Sequence, residues 1–244
     1  MLSQWIPVVE ADMRKVVREP FFLLILIMPF IIGMAMHELL PYLAGQFQNF
    51  DLQDYYPLIV ALFMLTPPLY YGVVLALQVL EEKDENVLIA VAVTPMQLHT
   101  FLFARIAIYT LISLPQVVIV HEMIGVIEIE MTRLILVAIA ACLNTPLIVL
   151  LLAAVAKNQL EGFVIGKGMG FIILFPLAMY FVPDYWHLLC GILPTYWPII
   201  AYFTAVSATG SESFFYLAIV MAIFTQLLAT LLLYRKFAAG LLAK

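Results

Sequence analysis

Charge is the scarcest property of this chain. Of its 244 residues only 11% are Asp, Glu, Lys or Arg, whereas 65% are hydrophobic. Soluble domains are about a quarter charged and about 45–50% apolar. A single soluble core cannot take up that excess without exposing large apolar patches. The composition therefore excludes an ordinary soluble fold and points to an integral membrane protein with spans of about 20 apolar residues each. Cysteine is also sparse. Cys142 and Cys190 lie in separate apolar segments without metal-like spacing, so no disulfide framework is expected, only small buried thiols. The first twenty residues are charged and broken up and lack the apolar core of a signal peptide. No Asn-x-Ser/Thr acceptor occurs.

Catalytic patterns are missing as well. His-Glu pairs occur at 37–38 and 121–122, but neither continues as His-Glu-x-x-His and no Cys/His cluster accompanies them. They are expected to be solvated residues at helix ends, with no metal site. No Gly-x-Ser-x-Gly elbow is present. The stretch "EGFVIGKGMG", 161–170, resembles a phosphate loop but has the wrong Gly–Gly spacing and a glycine after its Lys. Its spacing-of-four glycines, Gly162, Gly166 and Gly170, instead suit close helix approach, within the subunit or between subunits. No ionisable residue falls near the middle of a span, so a proton relay is poorly supported. The notable intramembrane polar groups are Asn144, Gln116 and Gln226. They suit either a cargo pathway or hydrogen bonds between helices. Neither a cofactor of the chain's own nor a nucleic-acid partner is expected. Energy for uphill movement would have to come from another subunit.

What is present is an ordered series of apolar segments. Hydropathy gives six spans, roughly 21–43, 56–79, 100–120, 132–156, 163–182 and 213–234. Pro29, Pro67/Pro68, Pro115, Pro146 and Pro176 interrupt the first five. Such prolines are tolerated where neighbours re-satisfy the freed carbonyls. Before the first span, Trp5, Val9, Met13 and Val16/Val17 recur at helical spacing with Arg14, Lys15 and Arg18 off the stripe. This predicts an amphipathic interface helix over 1–19, ended by Pro20. The segment 183–206 is nearly long enough to span, but Gly191, Pro194 and Pro198 break it and Tyr185, Trp186, Tyr196 and Trp197 crowd it. With six spans and both termini inside, every basic residue except Arg133 lies on the cytoplasmic side. A seventh span would put Arg235, Lys236 and Lys244 outside. The expectation is therefore an all-α integral membrane protein forming one domain over 1–244. It has six transmembrane helices and an outer re-entrant helical segment at 183–206.

The chain's densest charge, Glu81, Glu82, Lys83, Asp84 and Glu85, falls between spans two and three. It leads into "NVLIAVAVTP", too short to cross a bilayer and stopped by Pro95. Asp84 or Asn86 suits the start of a short interface helix. This arrangement resembles the type-2 ABC transporter permeases, the membrane subunits of ATP-driven exporters. Glu82, Lys83 and Asp84 match that family's charged run, Leu88 its Leu, Val93, Thr94 and Pro95 its end, and Arg105 its following basic residue. Asn86 stands for Gly, Val87 for Thr and Ile89 for Glu. Asn at the first of these also tolerates a left-handed backbone. "NQLEG" at 158–162 and the broken aromatic segment before span six match as well, so the resemblance covers almost the full length.

The resemblance implies a coupling helix at 85–94 that docks on a cytoplasmic ABC ATPase. Glu81 to Asn86, Leu88, Thr94, Pro95 and Arg105 would make that contact, and Glu161 a second one. It further implies a second permease subunit, identical or not, with ATP and Mg held by the ATPase. A multi-pass protein of a bacterial cell membrane is expected, exporting a hydrophobic or amphiphilic drug, antimicrobial peptide or lipid-like compound. An autonomous membrane enzyme and a non-transporting scaffold or sensor are the alternative readings.

Overall fold

The apolar runs become long helices. The computed structural model describes residues 12, 14–46, 51–88, 98–170, 181, 190–207 and 210–242. Among them the order is α1 (Pro20–Gln46), a 3-10 turn (Leu52–Tyr55), α2 (Tyr56–Met64), α3 (Thr66–Asp84), α4 (Leu98–Ile124) and α5 (Met131–Cys142). There follow α6 (Asn144–Val155), α7 (Gln159–Gly168), α8 (Tyr196–Val206) and α9 (Glu212–Leu242). No strand occurs among the described residues.

Among the described residues five stretches are long and apolar enough to cross a membrane: 20–46, 52–84, 100–124, 131–155 and 212–239. They coincide with the first, second, third, fourth and sixth predicted spans. The fifth, 163–182, is described only as far as residue 170, where it starts as α7. Of the predicted re-entrant segment, 190–206 is described. It ends in α8, whose 11 residues rise roughly 16 Å, about half the hydrocarbon thickness. Its Tyr196, Ile199, Ala201 and Tyr202 are buried against the bundle, and Trp197 Nε1 donates to the Gly191 carbonyl at 2.8 Å.

The bundle has a centre and a rim. Span 131–155 is 72% buried by the protein itself, whereas 20–46 and 212–239 are each 22% buried. The outer helices therefore present Leu24, Ile31 and Met34 of α1 and Val220, Phe224 and Leu231 of α9 to their surroundings. In water these would be a liability; in a bilayer they are the lipid-facing surface. The centre is the contact of α3 with α6. It depends on Gly72, where an added Cβ would lie 2.7 Å from Ile148 Cβ and 3.0 Å from the Thr145 carbonyl. Only glycine lets the two backbones approach so closely.

The prolines act in two ways. Pro29 and Pro115 sit inside unbroken helices. By contrast, the second and fourth spans break, at Leu65 and Leu143, just before Pro67/Pro68 and Pro146. There the prolines occupy first-turn positions, where a missing N–H costs little. Side chains near the breaks bond to backbone carbonyls. Thr66 Oγ1 donates to the Phe63 carbonyl at 2.7 Å, and Thr145 Oγ1 donates across to the Pro68 carbonyl at 3.0 Å. Gln226 Nε2, from α9, donates to the Ala140 carbonyl at 2.8 Å. The two breaks thus face each other across the α3–α6 contact. Pro176 lies outside the described residues.

Candidate functional site

The charged run does not hang in a loop. α3 continues past the apolar stretch to Asp84, so Glu81 to Asp84 form its last turn. Carboxylates at a helix C-terminus oppose the helix dipole. The extension holds because each acid except the last of the run finds a partner on another element. Asn86 then takes φ = 61°, the left-handed conformation that ends a helix at low cost for Asn. Asn86 therefore closes α3 rather than capping the next helix. Val87 and Leu88 turn helical again, with Leu88 buried. Most of the predicted coupling helix, 89–94, lies outside the described residues, and with it Ile89, Thr94 and Pro95.

At the centre of this end is Arg105, on the second turn of α4 and 1% exposed. Its Nε donates to Asp12 Oδ2 at 2.6 Å, its Nη1 to Glu82 Oε2 at 2.6 Å and its Nη2 to Gln78 Oε1 at 3.2 Å. The guanidinium also lies 5.0 Å from the Phe101 ring centroid, one turn away. Arginine suits this position because its planar fork serves several acceptors at once. Burial pushes the Asp12 carboxyl above the usual carboxylate range, with Arg105 pulling against it. Thus the N-terminal segment, the end of α3 and the start of α4 meet on one cation.

A polar seam continues from there along α3 and α4. Tyr109 Oη donates to Gln78 Oε1 at 3.1 Å, and Gln116 Nε2 donates to Tyr71 Oη. The steps match: 82, 78 and 71 on α3 face 105, 109 and 116 on α4, the register of antiparallel helices. Glu81 and Asp84 serve a third neighbour. Lys15 Nζ reaches Glu81 Oε2 at 2.7 Å. The Gln159 side chain donates to the same Glu81 oxygen at 3.1 Å, and the Gln159 backbone N–H donates to Asp84 Oδ2 at 2.8 Å. Lys83 Nζ donates to the Ala156 carbonyl at 3.4 Å.

The sequence-predicted partner contacts therefore divide. Glu82 and Arg105 point into the protein, and their role there is to join elements. Glu81 and Asp84 hold α7. Glu85, Asn86 and Val87 are exposed beyond the tied cluster. Glu161 accepts the Lys157 N–H at 2.8 Å, while its own N–H is capped by Asn158 Oδ1 at 2.8 Å, so its carboxylate is used at the start of α7. Gly162 meets α3, where an added Cβ would lie 2.3 Å from Leu80 Cδ1; Gly166 faces Val73, and Gly170 meets open space.

The three candidate pathway residues fall in two places. Gln116 belongs to the α3–α4 seam. Gln226 bonds to the Ala140 carbonyl, just before the break at Leu143, and Asn144 begins the helix after it, buried.

Sequence reasoning missed Asp12, Lys15, Gln78, Tyr109 and Gln159. A signal existed for two of them: Gln78 with Glu82, and Arg105 with Tyr109, are polar pairs spaced by four on facing helices.

The opposite end of the bundle carries His37, which lies 3.1 Å from the Ile124 carbonyl, and Arg133, which pairs with Glu212 at 3.2 Å and Glu130 at 3.5 Å. His121 is buried beside Tyr202, while its neighbour Glu122 is exposed. Cys142 and Cys190 are buried free thiols. No group of three or more His, Cys, Asp or Glu positioned for a metal occurs among the described residues.

Against known proteins, residues 12–234 match the family described as "Fluoroquinolones export permease protein Rv2686c-like". Two curated relatives, from Mycobacterium tuberculosis strains H37Rv and CDC 1551 / Oshkosh, are named fluoroquinolones export permease proteins. Each is 30% identical over 200 residues, 80% of this chain and 79% of its own length. No solved structure matches. A multi-pass helical bundle, a charged end built around Arg105 and a match over nearly the whole length agree: the chain belongs to the Rv2686c-like fluoroquinolone export permeases, a family of ABC-2 type permeases.

Proposed function

We propose that this chain is the membrane subunit of an ABC exporter, forming the passage for cargo and taking its energy from a separate cytoplasmic ATPase. The observation that carries this reading is the Arg105 cluster. It fixes both roots of the 85–97 segment, the last turn of α3 and the first turns of α4, to each other and to the N-terminal segment. A segment rooted this way transmits a push from an aqueous partner into two spans at once. Glu85 and Asn86, exposed where this segment leaves α3, would meet the ATPase, with charge orienting the contact.

Lys15, Lys83, Arg105 and Lys157 share this end of the bundle, whereas Arg133 lies at the other. By the positive-inside rule this distribution supports a cytoplasmic location for this end and for both termini. Two such subunits, identical or paired with a related one, would assemble with two ATPase subunits that hold ATP and Mg. The cargo would be of the class for which the relatives are named, a planar aromatic amphiphile of fluoroquinolone type, moved outward.

Co-expression with the cognate ABC ATPase tests the assembly. A tag on the permease should capture the ATPase in equal amount. If the permease purifies alone while its cells still expel the drug without ATP, the coupled-subunit reading is wrong.

A further inference from the structure

Beside the tied end lies a cavity of about 370 Å³, walled by Glu19, Phe21 and Phe22 at the start of α1, Leu77 of α3, and Gln159 and Phe163 of α7. Drug-sized ligands occupy pockets of roughly 300–1,000 Å³ that are mostly apolar with a few polar groups. The Phe21 and Phe163 rings stand 5.4 Å apart and tilted by 57°, so a flat ring can lie against one face and meet the edge of the other. Glu19 supplies the acidic wall, just before α1 enters the membrane. Lys167 reaches back one turn along α7 to place its Nζ 4.6 Å from the Phe163 ring centroid. A Lys near a span's end snorkels toward water in this way. The cavity thus has a carboxylate in its wall, and an ammonium lies over the ring of one of its aromatic residues. Gln159, in its lining, is also the residue that donates to Glu81 and Asp84 of α3.

We propose that this cavity binds a planar aromatic amphiphile carrying a protonated amine, and that its occupancy reaches the charged end through Gln159. The amine meets Glu19 in a charge-assisted hydrogen bond. The ring lies among the phenylalanines, and an anionic group at the molecule's far end lies in the field of Lys167. The site opens at the level of the cytoplasmic leaflet, where an amphiphile accumulates before export. The inference rests on the export-permease reading and adds where cargo is first held and how its presence is reported.

Binding is measured on the full chain in phosphatidylcholine nanodiscs, without the ATPase, so that a failure of assembly is a separate result. The probe is a fluorescent fluoroquinolone with a free ring amine, compared with its N-acetylated form. A charge-assisted bond lost on one side is worth about tenfold in affinity. Acetylation should therefore weaken binding by about that factor. Glu19→Gln should weaken the free amine alone by the same factor, and Phe163→Ala should weaken both compounds. In the complex with ATPase, Glu81→Ala, which removes the acceptor of the Gln159 side chain from outside the cavity lining, should keep probe binding yet lose probe-stimulated ATP hydrolysis. Unchanged affinities in both Glu19→Gln and Phe163→Ala overturn the site. So does a co-purifying phospholipid that Phe163→Ala removes while probe affinity stays the same. Stimulation intact in Glu81→Ala overturns the reporting role.

Discussion

Replacing Arg105 by methionine is expected to cost about 3–5 kcal/mol of stability, the usual effect of removing one partner from a buried ion pair. The cost comes less from lost attraction than from what remains. Asp12 and Glu82 have side chains only 10% and 14% exposed and would face each other across a dry gap. Gln78 Oε1 would lose one of its two donors, keeping only Tyr109. Lysine rescues this poorly, because a point charge on a flexible stem cannot serve three acceptors on two elements. Replacing all three charges at once, Asp12→Leu, Glu82→Leu and Arg105→Met, should restore most of the stability, since apolar side chains of similar volume commonly replace buried ion pairs at little cost.

Thermal unfolding in nanodiscs reads this directly. Arg105→Met should fall by on the order of 10 °C, and the triple variant should recover most of that. If Arg105→Met melts with the wild type, the cluster is not what holds this end together. The triple variant also separates holding from transmitting. Folded but without the charged tie, it should assemble with ATPase and transport less cargo per ATP consumed.

Reversing the charge of Glu85 is the second change with a large expected effect, and it acts outside the protein rather than within it. Glu85 follows the last helical residue of α3 and is exposed, so Glu85→Lys leaves the internal ties of Glu81, Glu82 and Asp84 in place. If this tip meets the ATPase, a like-charge contact replaces a complementary one. Affinity should then drop by about tenfold or more, with the loss diminishing as salt rises. Binding of purified ATPase to permease nanodiscs, titrated at low and high salt, measures it. Glu122→Lys, equally a reversal of an exposed charge but at the far end, should change nothing. Equal affinity for wild type and Glu85→Lys would remove this position from the contact.

The spans were legible because twenty or more apolar residues in a row have few other uses. Five of the six segments read from hydropathy are helices in the described residues, each within a few positions of its expected ends. Asn86 was legible in part: an Asn in place of Gly keeps the left-handed backbone, and φ there is 61°, but it closes α3 rather than starting the next helix. Which way charges face was not legible. Glu82 and Arg105 were expected at the ATPase contact because the family resemblance assigns its charged run and following basic residue to that contact. Their pairing spans 23 positions, and that of Arg105 with Asp12 spans 93; neither distance leaves a pattern along the chain. The interface-helix stripe drew attention to Val16 and away from Asp12, one turn earlier on the same buried face. Asn144, Gln116 and Gln226 stood out as polar among apolar neighbours, yet only packing shows that Gln226 serves a broken helix and Gln116 a tyrosine.

The central claim is that this chain moves cargo outward with energy from a partner ATPase. It is tested most directly by uptake of a fluorescent fluoroquinolone into inside-out vesicles containing the permease and its ATPase. The account predicts accumulation that needs ATP, Mg and both proteins and that falls in Glu85→Lys. Accumulation by the permease alone, or none when the assembled complex hydrolyses ATP in the presence of the drug, would contradict it.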